Sequence, residues 1–279
     1  MSAKTKIEWC NPPGRPPGGT WSPWWGCRKV SPGCANCYAE KMAGRFRKVG
    51  WNEHTENSPK SVLTWNRTQP GKLVFPSMCD WLQPEVPPEM LARFMGTLQA
   101  TPNLIWLLLS KRPESFQERM DRAYNHIKDQ FTARMVKEWV DINPPANVWV
   151  GTSVEDQQRA DERIPALLRI PAAHRFLSVE PLLGQVDLLY AAFNGTDSLQ
   201  SLPGLDWVIV GGESGPGARP CNIAWIRDIR DQCAGSDVPC LVKQFGSNPI
   251  MEPGPITVQC EHPKGGDPAE WPEDLRVQQ

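Results

Sequence analysis

The sequence predicts an α/β fold of about six parallel strands alternating with helices. This is the pattern of a complete or partial (β/α) barrel, with a doubly wound open sheet as the alternative that periodicity leaves open. Three observations carry the expectation. Short apolar, partly β-branched runs recur through the middle of the chain, helical stretches separate them, and nearly every run ends in polar or charged residues. Near-continuous apolar strands with helices between them suit a parallel sheet covered on both faces.

Taken in order, residues 73–75, 104–109, 148–150, 175–179, 207–210 and 240–243 read as buried strands, with a further strand near 6–9 or 20–22. Helices are expected over 34–48, 88–99, 113–127, 155–169 and 224–234. Pro88 and Pro113 suit a first helical turn, where the N–H that proline lacks would have no intrahelical acceptor. Residues 11–19, 134–146 and 188–204 read as insertions. From Gly246 onward proline and glycine dominate, so a body over 1–245 is expected to carry a Pro/Gly-rich C-terminal extension over 246–279.

Composition narrows the function. Hydrophobic residues make up 40% and charged residues 22% of 279, as in a folded globular protein. A formal net charge of −1 gives no global basic field for coating nucleic acid, although a local basic groove stays open. One local stretch, Lys41, Arg45, Phe46, Arg47, Lys48 and Trp51, mixes cations with aromatics and could meet a phosphate backbone. The apolar runs are too short to span a bilayer and the N-terminus has no apolar signal core, so a cytoplasmic location and no membrane partner are expected. Nine cysteines, an odd number, do not suit a disulfide framework and point to metal ligation or burial.

The strand ends collect the polar candidates: Ser77 and Asp80, Ser110 and Lys111, Thr152, Ser153 and Glu155, Glu180, then Gly211, Gly212, Glu213 and Ser214. In parallel α/β folds the carboxyl ends of the strands form the active face. Each residue alone could be a helix cap or a loop polar; their recurrence argues for a shared pocket.

The chemistry concentrates in residues 27–37, a candidate cluster loop bearing Cys27, Cys34 and Cys37. Cys34 and Cys37 have C-x-x-C spacing, and Ser31-Pro32-Gly33 provides a turn that returns Cys27 toward them. Three thiolates are one short of a closed zinc site and the right number for a [4Fe–4S] cluster with one iron left open. Zinc completed by Cys10 or His54, a redox dithiol, and simple burial remain the other readings of these residues.

Several segments in order resemble one family: KIEW at 6–9, TWSPWWGC at 20–27, SPGCANCYAEKMA at 31–43, GGESGPGARP at 211–220 and VKQFG at 242–246. They resemble a phage-borne three-cysteine family related to radical S-adenosylmethionine (SAM) enzymes. The chain departs from the commonest radical SAM loop in two ways: six residues separate its first two cysteines, and Asn36 stands where an aromatic usually precedes the last. The resemblance implies a radical SAM-like partial barrel, a [4Fe–4S] cluster on the three cysteines, and SAM at the open iron. It further implies Asp80 for the SAM ammonium, Thr152, Ser153 and Glu155 for the ribose, and Gly211, Gly212 and Glu213 along the cofactor or substrate. Lys111, Arg112, Glu180, Arg219 and Lys243 remain for recognition or catalysis, and Cys79 could donate a hydrogen atom to a substrate radical. The implied reaction is the rearrangement or functionalisation of a modified thymidine in phage DNA, in the host cytoplasm, with an electron donor such as a flavodoxin or ferredoxin.

Overall fold

A computed structural model describes residues 1–46, 50–193, 202–251 and 256–277. Seven parallel strands follow one another in chain order: β1 (Gly19–Thr20), β2 (Leu73–Phe75), β3 (Ile105–Ser110), β4 (Val148–Ser153), β5 (His174–Val179), β6 (Trp207–Gly211) and β7 (Cys240–Gln244). Eight helices accompany them: α1 (Tyr38–Phe46), α2 (Lys60–Thr68), α3 (Pro88–Gln99), α4 (Phe116–Tyr124), α5 (Gln130–Asp141), α6 (Gln157–Leu168), α7 (Leu188–Ala192) and α8 (Ile223–Gly235). A doubly wound sheet reverses its order at a switch point. This order has no reversal, which decides between the two topologies that periodicity left open. The seventh strand is β1, at the 20–22 candidate; the 6–9 candidate is instead a 3-10 turn, Glu8–Cys10.

The chain divides into two units, with residues 148–151 of β4 in the first and Thr152 and Ser153 in the second. The first holds β1 to β3 and α1 to α5. Its core is aromatic. Trp21 meets Trp106 edge-on at 5.8 Å, Phe94 meets Trp106 at 5.6 Å, and Trp81 stacks on Trp139 at 6.0 Å. Such pairs contribute about 0.5–1.5 kcal/mol each beyond area burial, which gives the high tryptophan content a packing role. Lys72 is fully buried, donates to the carbonyls of Ala3 (2.7 Å) and Pro17, and lies 5.0 Å from the Trp65 ring. It ties the N-terminal segment and the proline-rich stretch 11–19 to the edge at β1.

Three helices, α2, α5 and α7, lie outside the segments expected to be helical. Residues 134–146 are not an insertion: most of them belong to α5, capped by Asp129, which accepts from the backbone and hydroxyl of Thr132 at 2.7 Å each. Its buried residues Thr132, Val136 and Trp139 have helical spacing, so this helix was legible. α2 buries only Val62 and Trp65, too faint a stripe to read. The helix expected over 34–48 begins at Tyr38, because Pro32–Cys34 forms a 3-10 turn; Arg47 and Lys48 lie outside the described residues. The helix expected over 113–127 opens as a 3-10 turn at Pro113–Ser115 before α4. Residues 188–204 begin with α7, and 194–201 lie outside the described residues.

In the second unit β6 pairs with β5 in the register Phe176↔Trp207 and with β7 in the register Cys240↔Val208. Val208, Ile209 and Val210 are fully buried, as a central strand requires. The C-terminal residues pack within this unit. Pro249–Met251 pairs with Cys221–Asn222 and with Ile256–Thr257, and the Val242 N–H donates to the Val277 carbonyl at 3.0 Å. Trp271 stacks on Phe245 at 5.0 Å and its indole donates to the Gly265 carbonyl at 3.0 Å. Among the described residues no helix is long and apolar enough to cross a membrane.

Trp271→Ala should remove this anchor and lower stability by about 3–5 kcal/mol, the usual range for truncating a buried aromatic. Urea unfolding followed by circular dichroism checks it. A loss below about 1 kcal/mol would show that the C-terminal residues contribute little to the fold.

Candidate functional site

Of the three loop cysteines, Cys27 and Cys37 belong to the first unit and Cys34 to the second. None of the nine cysteines is in a disulfide. Cys27 is half-buried, with its N–H on the Trp51 carbonyl at 3.1 Å. Gly26, just before it, has φ +121°, and a Cβ there would lie 2.5 Å from the Glu53 carbonyl oxygen, so only glycine serves. Cys37 packs with Trp25 and Trp51 against Ala39, Ala43 and Met78. Cys34 closes the turn at Pro32: its N–H donates to the Ser31 carbonyl at 2.9 Å, and the Ser31 hydroxyl lies 3.8 Å from its sulfur.

In the first unit the residues after β2 and β3 meet at Asp80. Its carboxylate accepts from the Ser110 hydroxyl (2.6 Å), the Arg112 guanidinium (2.8 Å), the Lys111 N–H (3.0 Å) and the Leu82 N–H (3.1 Å). Arg112 in turn donates to the Arg28 carbonyl at 2.7 Å and hydrogen-bonds the Cys27 side chain. Burial alone would lower the Arg112 pKa, but Asp80 and Cys27 hold it above its ordinary value. The Arg28 N–H donates to buried Gln83 at 3.2 Å, and the Gln83 amide reaches the His54 ring at 3.1 Å. Cys79 forms a bridge with Gly26. Burial, then the charges of Asp80 and Cys27, pushes its thiol well up, so it keeps its hydrogen at neutral pH.

In the second unit two carboxylates grip the loop residues 31–36. Glu155, fully buried, accepts from Arg163 at 2.8 Å and from the Gly33 N–H at 3.2 Å. A Cβ on Gly33 would lie 2.9 Å from the Glu155 carboxyl carbon, so glycine is what lets the backbone reach it. Arg163 also donates to the Ser153 carbonyl at 2.8 Å, and Thr152 is fully buried beside it in β4. Glu213 accepts from Asn36 (2.9 Å), from the Arg219 N–H (2.9 Å) and from its guanidinium (2.6 and 3.0 Å). Arg219 also donates to the Pro32 carbonyl at 2.8 Å. Burial would raise the Glu213 carboxyl, but the hydrogen bonds from Arg219 and Asn36 outweigh it and hold it at about 2.

Other candidates have local partners. Glu180 accepts from Lys243 (2.7 and 2.8 Å) and from Gln244 (3.0 Å). The close approach that Gly212 permits is to the chain itself: a Cβ there would lie 2.1 Å from the Phe245 carbonyl oxygen and 3.0 Å from Cys221 Cβ. Gly211 similarly faces the Gln244 carbonyl, at 3.1 Å. Cys221, Cys233 and Cys240 are buried; burial pushes the Cys221 thiol up to about 12, and the hydrogen bond that the Cys233 S–H donates to Cys240, together with burial, raises that of Cys233. Arg163 and Gln83 escaped the sequence reading. Arg163 lies eight residues beyond its carboxylate, a spacing that carries no signal.

A family model matches residues 4–262, nearly the whole chain, under the description "Protein of unknown function (DUF5131)". The chain belongs to this family. No curated protein and no solved structure matches it.

Among the described residues no three His, Cys, Asp or Glu side chains are gathered as a ready metal-ligating group. Cysteine is the residue type that holds zinc or an iron–sulfur cluster, and Cys27 and Cys34 each have an arginine nearby, Arg112 and Arg219.

The depressed Glu213 carboxyl sets a pH dependence. Its contribution is fully present above the ordinary value of 4.5 and is lost as pH falls toward about 2. Glu213→Gln should therefore lower the melting temperature at pH 7 and flatten its decline across that window. Equal slopes in wild type and variant, measured by scanning calorimetry, would contradict the depressed carboxyl.

Proposed function

We propose that this chain is a radical SAM enzyme whose [4Fe–4S] cluster is held by Cys27, Cys34 and Cys37. The observation that supports this best is the short cysteine loop with arginines beside two of its thiols, each arginine secured by a buried carboxylate. The segment resemblance to the radical SAM-related three-cysteine family and the chain-ordered parallel strands agree with it. When bound, such a cluster with SAM supplies reductive cleavage of SAM and hydrogen abstraction from an unactivated carbon, chemistry that polar side chains do not offer.

The chain's own residues position and tune. Arg112 and Arg219 place a positive charge beside Cys27 and Cys34. Asp80 already takes four donors, so its proposed role moves from the SAM ammonium to fixing Arg112 and, through it, the Arg28 carbonyl. Glu155 and Glu213 hold the loop backbone, Ser153 and Thr152 remain the proposed wall toward SAM, and Gly211 and Gly212 leave that role, since Gln244 and Phe245 fill the space beside them. Cys79 retains its S–H, as a hydrogen-atom donor must. Lys111 and Glu180, with Lys243, are the proposed substrate contacts. The proposed substrate is a modified thymidine in phage DNA, rearranged or functionalised in the host cytoplasm with an electron donor such as a flavodoxin or ferredoxin. If Cys79 gives the final hydrogen, 5′-deoxyadenosine is released and the electron donor must return one electron, with a proton from solvent, to Cys79. Only if 5′-deoxyadenosine gives the hydrogen back would SAM be regenerated with no electron beyond the initiating one.

Anaerobically reconstituted wild-type protein should contain iron and acid-labile sulfide and release 5′-deoxyadenosine from SAM with dithionite. Cys27→Ala, Cys34→Ala and Cys37→Ala should each abolish both, whereas Cys10→Ala should leave both intact. Zinc without sulfide would instead indicate a non-catalytic zinc protein that binds nucleic acid. S-adenosylhomocysteine as the main product would indicate methyl transfer.

A further inference from the structure

Helix α1 starts one residue after Cys37, and its two faces differ in kind. Ala39 and Ala43 are buried in the cluster that includes Cys37. At 100° per residue, Tyr38, Lys41, Met42 and Arg45 share a second face within an arc of about 100°, centred about 130° from the two alanines. All four are exposed, Tyr38 by 51% and Met42 by 40%, well above what packing side chains show. The helix has one acidic residue, Glu40, and it is taken up by Lys29 at 2.9 Å. Among the described residues neither Lys41 nor Arg45 has an acidic partner.

We propose that this face is the docking surface for a small acidic one-electron carrier protein, a proposal that rests on the radical SAM reading. Two uncompensated cations beside an exposed tyrosine and methionine call for an anionic partner with an apolar centre, and methionine suits surfaces that adapt to partners. The footprint is small, as transient electron-transfer encounters are. The position fits as well: Met42 lies five residues beyond Cys37, about 7–8 Å along the helix axis at 1.5 Å per residue. One electron leaves the reduced carrier, which is oxidised by one electron, and arrives at the group held by the cysteines; no proton or chemical group crosses. A polynucleotide would draw on the whole basic stretch, Arg47 and Lys48 included, whereas the exposed Tyr38 and Met42 beside Lys41 and Arg45 suit a protein partner.

The test uses the reconstituted full chain and a reduced flavodoxin as probe. Lys41→Glu/Arg45→Glu should weaken flavodoxin binding in calorimetry, and lower the flavodoxin-dependent rate of 5′-deoxyadenosine release, about tenfold or more. The dithionite-dependent rate should not change. Met42→Glu should do the same, and raising salt should weaken wild type and shrink the difference from the double variant. Undiminished flavodoxin binding and rate in both variants would overturn the docking face alone. Loss of binding to a single-stranded oligonucleotide, with flavodoxin binding kept, would overturn it in favour of a nucleic-acid surface. A wild type inert even with dithionite would overturn the radical SAM reading and this proposal with it.

Discussion

A carboxylate taken out of water must find cations or N–H groups nearby, because an uncompensated buried charge costs several kcal/mol. Three carboxylates at the ends of strands face this constraint here. Asp80 is 6% exposed, Glu155 0% and Glu213 7%, and each engages an arginine together with backbone N–H groups or a side-chain amide. Their donors reach the Arg28 carbonyl in the first unit and Pro32, Gly33 and Asn36 in the second. The demand for charge compensation therefore doubles as a way to hold a loop that has little regular structure of its own. Removing one member of such a pair strands the other, which costs about 3–5 kcal/mol where burial is complete.

The same pairs give the polar strand ends a local meaning. A carboxylate on the active face of a parallel sheet can touch ligand or can order the residues that do. Asp80 has four donors in place, and Glu155 accepts from Arg163 and from Gly33, where an added Cβ would lie 2.9 Å from its carboxyl carbon. Asn36 falls into place on these terms. Its amide donates to Glu213 at 2.9 Å and to the Gly217 carbonyl at 3.1 Å, bonds that an aromatic ring could not make.

Much of the fold was legible because burial writes itself into local pattern. The strands at 73–75 and the helix at 88–99 appear with the bounds that apolar runs and Pro88 imply. α5 carries local signals as well, its Asp129 cap and buried residues at helical spacing, although 134–146 reads as an insertion. Of the site, the cysteines and the polar strand ends were legible, being local in sequence. Their partners were not: Arg219 meets Pro32 across 187 positions and Arg112 meets Arg28 across 84, and neither spacing leaves a periodic trace. The Gly211–Gly212 pair shows the opposite problem. Its glycines are conspicuous in sequence, yet Phe245 and Gln244 already occupy the space they leave.

The central claim is that the three loop cysteines hold a cluster with an iron open to SAM. Electron paramagnetic resonance of the dithionite-reduced, reconstituted protein, recorded with and without SAM, tests it most directly. The account predicts a cluster signal whose line shape changes when SAM is added, and which is missing from Cys34→Ala. A signal unmoved by saturating SAM, or a zinc-loaded protein with no signal, would contradict it.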